Sequence, residues 1–111
     1  MKTDLDCDAS TLLRAAGEPL RWQIIELLSA EDLCVCHLVE ALGVPQSSVS
    51  HHLRILRTAG LVETERFRYW TYYRLRAAAL AALAQHLGDM AEAAVCGGRR
   101  RRACRPSTRG G

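Results

Sequence analysis

Apolar residues return at helical intervals along the first half of the chain and then change period. Residues 9 to 16 fit a short helix with Asp8 as its N-cap, since an acidic side chain there accepts from backbone N–H groups that otherwise lack partners. A second helix is predicted to open at Glu18-Pro19, where a proline's missing N–H is tolerated, and to bury Leu20, Ile24, Leu27 and Leu28. A third is expected over residues 33 to 42, ending at Gly43, a residue suited to a left-handed cap. Pro45 then opens a turn, and Gln46 to Ala59 forms a fourth helix stopped by Gly60.

Beyond Gly60 the periodicity is no longer helical. Leu61 to Leu75 (LVETERFRYWTYYRL) holds five of the six aromatic residues together with threonine and valine, which predicts the two short strands of a hairpin. Arg76 to Cys96, rich in alanine and leucine, predicts a last helix ended by Gly97-Gly98. Between the third and fourth helices, Gly43-Val44-Pro45 has the form of a short glycine-containing helix-turn-helix turn. The expected fold class is therefore mainly α with a small β-hairpin: a winged helix-turn-helix over residues 1 to 96, then a tail over 97 to 111. No internal repeat interrupts this order.

The 111 residues allow one domain with a modest core, and a small domain of this kind gains stability by pairing. No apolar run approaches the roughly 20 residues that span a bilayer. Met1-Lys2-Thr3-Asp4 also lacks the basic and apolar blocks of a secretory signal. The expectation is a soluble, cytoplasmic protein with no membrane partner. The net charge of +3 hides an asymmetry. Residues 1 to 95 carry nine Lys and Arg against twelve Asp and Glu, whereas residues 96 to 111 add six arginines and no acid. The tail, with Arg99 to Arg102 between glycine- and proline-containing stretches, reads either as a solvated flexible end or as an extra attraction for phosphate.

On the fourth helix, Leu53 and Leu56 cluster about Val49 with His52 at the flank, and Ser47, Ser48, His51 and Arg54 take the opposite side. Small hydroxyls, an imidazole and a guanidinium on one face can approach base edges and phosphates of double-stranded DNA. Gln46 at the start suits a bidentate contact to adenine. With Ser50, these are the candidate reading residues; an ordinary solvated face is the alternative. Arg66 and Arg68 near the hairpin tip are candidates for a neighbouring phosphate backbone or minor groove. Phe67, Tyr69, Trp70, Tyr72 and Tyr73 are expected to pack rather than to stack on bases.

Five cysteines, Cys7, Cys34, Cys36, Cys96 and Cys104, are many for a reducing compartment, and the odd number argues against a closed set of disulfides. Free thiolates open to a soft metal ion fit better. Cys34 and Cys36 stand one residue apart where the third helix is expected to begin. Residues at i and i+2 of a regular helix point about 200° apart, so both sulfurs can reach one ion only at an unwound or terminal turn. Metal capture would then distort the helix that supports the reading helix. A helix N-terminus also favours thiolate over thiol. The alternative is that both are small buried apolar residues. His37 beside the pair is a borderline ligand and is expected to be a surface residue, while His86, alone on its helix, is expected to be structural.

The segments Gly17-Glu18-Pro19-Leu20-Arg21, DLCVCHL, Val49-Ser50-His51-His52-Leu53 with Leu56, Ala59-Gly60-Leu61-Val62 and Tyr72-Tyr73-Arg74-Leu75, in this order, resemble the arsenical-resistance repressor (ArsR/SmtB) family of winged-helix metalloregulators. The resemblance covers roughly Ala15 to Leu75. It implies a homodimer, paired through the first and last helices, that represses its own operon until a metal or metalloid releases it from operator DNA. It places Cys34 and Cys36 in the family's thiol box for arsenite or antimonite, and Gln46 to Arg54 on its reading helix. Val39 stands where some members have a third cysteine on the same helix, so a third thiol must come from elsewhere: Cys104 or Cys96 ahead of Cys7. Arg68 stands where the wing tip usually carries glycine. Of the zinc site that some relatives build on the last helix, only His86 and Asp89 remain, so that site is not expected.

The function expected is a repressor induced by As(III) or Sb(III), with no organic cofactor. A cadmium or lead sensor recruiting Cys7, or a thiol-redox sensor, would use the same fold. A thiol enzyme or metal-handling protein is the reading from a different class, and it leaves the reading helix without a purpose.

Overall fold

The computed structural model describes residues 8–97 and 100–104. Five helices and one hairpin follow in the order α1 (Ala9–Ala16), α2 (Pro19–Leu28), α3 (Val35–Leu42), α4 (Gln46–Ala59), β1 (Val62–Phe67), β2 (Trp70–Leu75) and α5 (Ala77–Cys96). The Asp8 carboxylate accepts from the Thr11 backbone N–H at 3.0 Å. Glu18 caps α2 in the same way through the Arg21 N–H at 2.8 Å, with Pro19 in the first turn. Gly43 (φ 69°) and Gly60 (φ 90°) end α3 and α4 in the left-handed region, where a side chain would be strained.

The core lies where α2, α3 and α4 meet the base of the hairpin. Ile24, Leu38, Val49, Leu53, Leu56 and Leu61 are its fully buried side chains. Burying Leu38 and Leu53 fixes how α3 and α4 cross, and thus which face of α4 is left to solvent. On α2, Ile24, Ile25 and Leu28 enter the core. Leu20 and Leu27 are only half-buried, a correction of the predicted apolar face that shifts it toward Ile25.

The strands pair antiparallel, Val62 opposite Leu75 through Phe67 opposite Trp70. Only the base of one sheet face, with Val62, Tyr73 and Leu75, meets the core. The expectation that all five hairpin aromatics pack is therefore corrected. Tyr72 and Tyr73 are partly buried, but Phe67, Tyr69 and Trp70 stand exposed because the hairpin runs past the edge of the core.

The third helix is also corrected at its start. It begins at Val35 rather than at residue 33. Leu33 instead forms an isolated antiparallel bridge with Tyr73, and Cys34 is the extended N-cap residue (φ −95°, ψ 171°). On α5 Leu83 is the buried residue, while Leu87, Met90 and Val95 are exposed, as is Leu13 on α1. No helix among the described residues is long and apolar enough to cross a membrane.

Candidate functional site

The N-terminus of α3 gathers two thiols and an imidazole. Cys34 has extended backbone and Cys36 is already helical, so the opposed directions of an i, i+2 pair on a regular helix do not apply. Their sulfurs lie 3.0 Å apart. Cys34 at the N-cap thus places the pair at the very end of the helix, one of the two arrangements expected to allow chelation, and the sulfurs meet there without unwinding.

His37, a borderline ligand expected at the surface, is exposed and belongs to the cluster. Its Nδ1 lies 3.2 Å from the Cys34 sulfur and accepts the Cys34 backbone N–H at 3.2 Å. The arrangement is a capping box with cysteine at the N-cap and histidine three residues on. That i, i+3 spacing was the available signal, obscured because cysteine is not a customary cap. Cys34 Sγ, Cys36 Sγ and the His37 ring form the one group of this kind found among the described residues, and the three ligand atoms lie within 4.8 Å of one another. Two soft sulfurs and one borderline nitrogen suit a thiophilic ion.

The two thiols differ electrostatically. Burial pushes the Cys34 thiol up, but the hydrogen bond from Cys36, together with the backbone N–H groups of His37, Cys36 and Cys34, outweighs burial and holds Cys34 below its ordinary value. Cys36 is raised, first by its hydrogen bond to Cys34, then by burial and the neighbouring negative charge. The favoured singly deprotonated state is thiolate on Cys34 with Cys36 donating to it. Cys34 is buried and Cys36 exposed, so one ligand is anchored in the core and the other faces incoming ions.

Cys96 and Cys104 are exposed and outside this cluster within one protomer. Cys7 lies outside the described residues, as does most of the predicted basic tail.

The cluster is wired to the hairpin. Leu33 and Tyr73 exchange backbone hydrogen bonds of 3.1 and 2.7 Å. Arg74 bonds Asp32 Oδ2 through Nε and Nη2 at 3.1 and 2.9 Å, and it also bonds Glu65 across the sheet. The His37 and Tyr72 rings lie 6.5 Å apart.

On α4, Val49, Leu53, Leu56 and Ala59 are buried, and Gln46, Ser47, His51 and Arg54 are exposed, with Ser48 and Ser50 half-buried at the edges. The candidate reading residues therefore share the outer side of a helix whose inner side is locked. His52 is half-buried, and Arg21 Nη1 lies 3.0 Å from its Nδ1 while Arg21 Nε holds the Ala15 carbonyl at 2.7 Å. Arginine only donates, so this Nδ1 accepts and the ring is neutral, its remaining proton on Nε2. Arg66 and Arg68 are both exposed at the hairpin end.

With that geometry in place, comparison with known proteins is specific. The family described as "Bacterial regulatory protein, arsR family" matches residues 18–64, from the cap of α2 into β1. The HTH-type transcriptional repressor SmtB of Mycobacterium tuberculosis is 48% identical over 67 residues, covering 60% of this chain and 50% of the relative. The arsenical resistance operon repressor of Staphylococcus aureus is 34% identical over 80 residues, covering 72% of this chain and 77% of the relative. The chain thus spans half the length of the first relative and about three quarters of the second. Among solved structures, the homodimeric winged helix-turn-helix DNA-binding domain of a possible ArsR-family transcriptional regulator from Mycobacterium bovis superposes with a TM-score of 0.62 at 25% identity. That match covers 84% of this chain and 86% of the domain. These relatives are regulators rather than enzymes, which removes the thiol-enzyme reading. The chain belongs to the ArsR family of bacterial regulatory proteins.

Proposed function

We propose that this protein is a homodimeric transcriptional repressor that leaves its operator when Cys34 and Cys36 capture a thiophilic ion, with trivalent arsenic or antimony as inducer. The observation that carries the reading is the convergence of the two sulfurs, 3.0 Å apart, at the head of the helix that supports α4. Gln46, Ser47, Ser48, Ser50, His51 and Arg54 would read the major groove, and Arg66 and Arg68 would hold flanking DNA. The exposed apolar residues Leu13, Leu87, Met90 and Val95 on α1 and α5 supply the pairing surface.

A pyramidal As(III) or Sb(III) site needs three thiolates, so Cys104 or Cys96, from either protomer, completes it in this account. Release follows from the wiring: seating an ion against sulfurs only 3.0 Å apart displaces Cys34, and that displacement reaches the hairpin through Leu33 and Tyr73 and reaches α4 through α3. The arginine-rich tail adds a sequence-independent attraction for phosphate.

The position of His37 favours a second reading, in which two sulfurs and an imidazole hold a divalent ion such as cadmium or lead. If His37 Nδ1 takes the ion, it releases the Cys34 N–H that it caps, so the same helix end responds.

The experiment is a DNA-release titration of the reduced protein with arsenite, antimonite, cadmium, zinc and peroxide, each added separately. Release by arsenite and antimonite at the lowest concentrations is expected. Release by cadmium alone favours the second reading. Release only by peroxide, reversed by a reductant, replaces ion sensing by thiol redox sensing.

A further inference from the structure

A cleft of about 340 Å³ lies where α1, α2 and α4 meet, near the lower end of the roughly 300–1,000 Å³ range of small-molecule sites. The buried Ala15 and Ala59 and the half-buried Ile55 give it an apolar base. Three arginines, Arg14, Arg21 and Arg54, line it as well, and no carboxylate does.

Arg21 is fixed in place by two bonds, to the Ala15 carbonyl at 2.7 Å and to His52 Nδ1 at 3.0 Å. Arg14 and Arg54 form no ion pair among the described residues. Asp8 and Glu18, the acids that act on Arg14 and Arg21 through space, are committed to capping α1 and α2. Like charges gathered at one cleft repel, and an anion seated among them relieves that repulsion. Guanidinium forks match a carboxylate in shape as well as in charge. The cleft is also separate from the proposed pairing surface: at 100° per residue, Leu13 points about 160° away from Ala15 on α1, so a partner seated on Leu13 leaves it open.

We propose that this cleft binds a small organic acid, its carboxylate held by the arginines and its compact apolar or aromatic body resting on Ala15, Ile55 and Ala59. A bare phosphate or a DNA backbone would meet the charges but leave the apolar base unfilled. Arg54 is also one of the proposed DNA-reading residues, so an occupant that engages it removes a contact to the operator. Operator affinity then falls with no ion at Cys34 and Cys36, which gives the switch a second input. The coupling is reciprocal, and operator DNA lowers affinity for the acid by the same factor. The inference rests on the DNA-reading assignment of α4 and not on thiol capture.

The test follows the isoleucine methyl resonances of the full chain: Ile24 and Ile25 report on the core and Ile55 on the cleft. Benzoate and hexanoate should shift the Ile55 methyl saturably. Benzyl alcohol, which is neutral, and inorganic phosphate, which has no apolar body, should not. Arg14→Gln should weaken benzoate binding about tenfold, the scale of one charge-assisted hydrogen bond. Thr58→Trp, which fills the cleft and leaves the arginines, should abolish the shift while Ile24 and Ile25 show an intact core. Benzoate should lower operator affinity in the parent and in Cys34→Ser alike, against chloride at equal ionic strength. If phosphate matches benzoate, the cleft is a plain anion site and the proposal is overturned. If Ile55 does not move while arsenite still releases the operator, the proposal fails and the thiol reading stands. If benzoate shifts Ile55 and weakens operator binding while arsenite does nothing, the cleft stands and the thiol reading falls. If Thr58→Trp instead changes the oligomeric state, the cleft belongs to the pairing surface and the proposal is overturned.

Discussion

Leu33 and Tyr73 pair through both backbone hydrogen bonds, joining the residue before the thiol pair to the second strand of the hairpin. The link is short and made of backbone, so any shift of Cys34 must load it. Ion capture should therefore speed hydrogen exchange at the Tyr73 amide, while amides inside the β1–β2 ladder keep their protection. Residue-resolved exchange with and without arsenite measures this. Unchanged Tyr73 protection during full DNA release would show that the signal travels another way.

The reading helix makes a separate prediction. His51 and Gln46 are exposed on a helix whose opposite face is buried. His51→Ala or Gln46→Ala should thus weaken specific operator binding by about 1–3 kcal/mol without loss of folding. Fluorescence anisotropy on operator and scrambled duplexes separates this from a general loss of DNA affinity.

His37 joins two functions that one substitution can divide. Its ring accepts the Cys34 N–H and stands in the ligand cluster. Loss of the cap in His37→Ala should cost about 1 kcal/mol of stability, the usual scale for a helix cap. Divalent ions should lose affinity more than arsenite does, if three sulfurs hold the metalloid. Denaturant melts and competitive metal titrations test the two halves independently.

These residues also show what the sequence made legible. Helical spacing and caps identified α1, α2 and α4 within their observed limits, because Asp8, Glu18-Pro19, Gly43 and Gly60 act locally. The start of α3 was misplaced because Leu33 answers to Tyr73, forty residues away, and no local period records that bridge. Phe67, Tyr69 and Trp70 have high strand propensity, but propensity does not tell how far a hairpin overhangs its core. Cys34 and Cys36 are legible as a pair and His37 as a borderline ligand beside them; their convergence depends on Cys34 being extended and on a cysteine cap that draws the His37 ring in. In the proposed homodimer, the choice between Cys96 and Cys104 as third ligand turns on the partner protomer, which local sequence does not specify.

His52 makes the fold sensitive to acid. Burial lowers its pKa, Glu18 opposes that, and Arg21 and His51 lower it further, so the folded state favours the neutral ring. The folded value lies below the unfolded one, near 6.5. The stabilising contribution is therefore complete above about pH 6.5 and is lost as pH falls through the folded value. Unfolding free energy should decline over that window, and His52→Gln should flatten the decline. Denaturant melts between pH 5 and 8 give the comparison. An identical pH profile in the variant would remove His52 from this role.

In the proposed mechanism, ion capture by Cys34 and Cys36 releases DNA. Its most direct measurement is the anisotropy of labelled operator bound to reduced protein during arsenite addition, for the parent protein, Cys34→Ser and Cys36→Ser. Serine keeps a side chain able to cap α3 and removes the soft ligand. All three proteins should bind the operator, with the parent released near stoichiometric arsenite and both variants retained. Release of the variants at the same arsenite concentration as the parent would contradict the account.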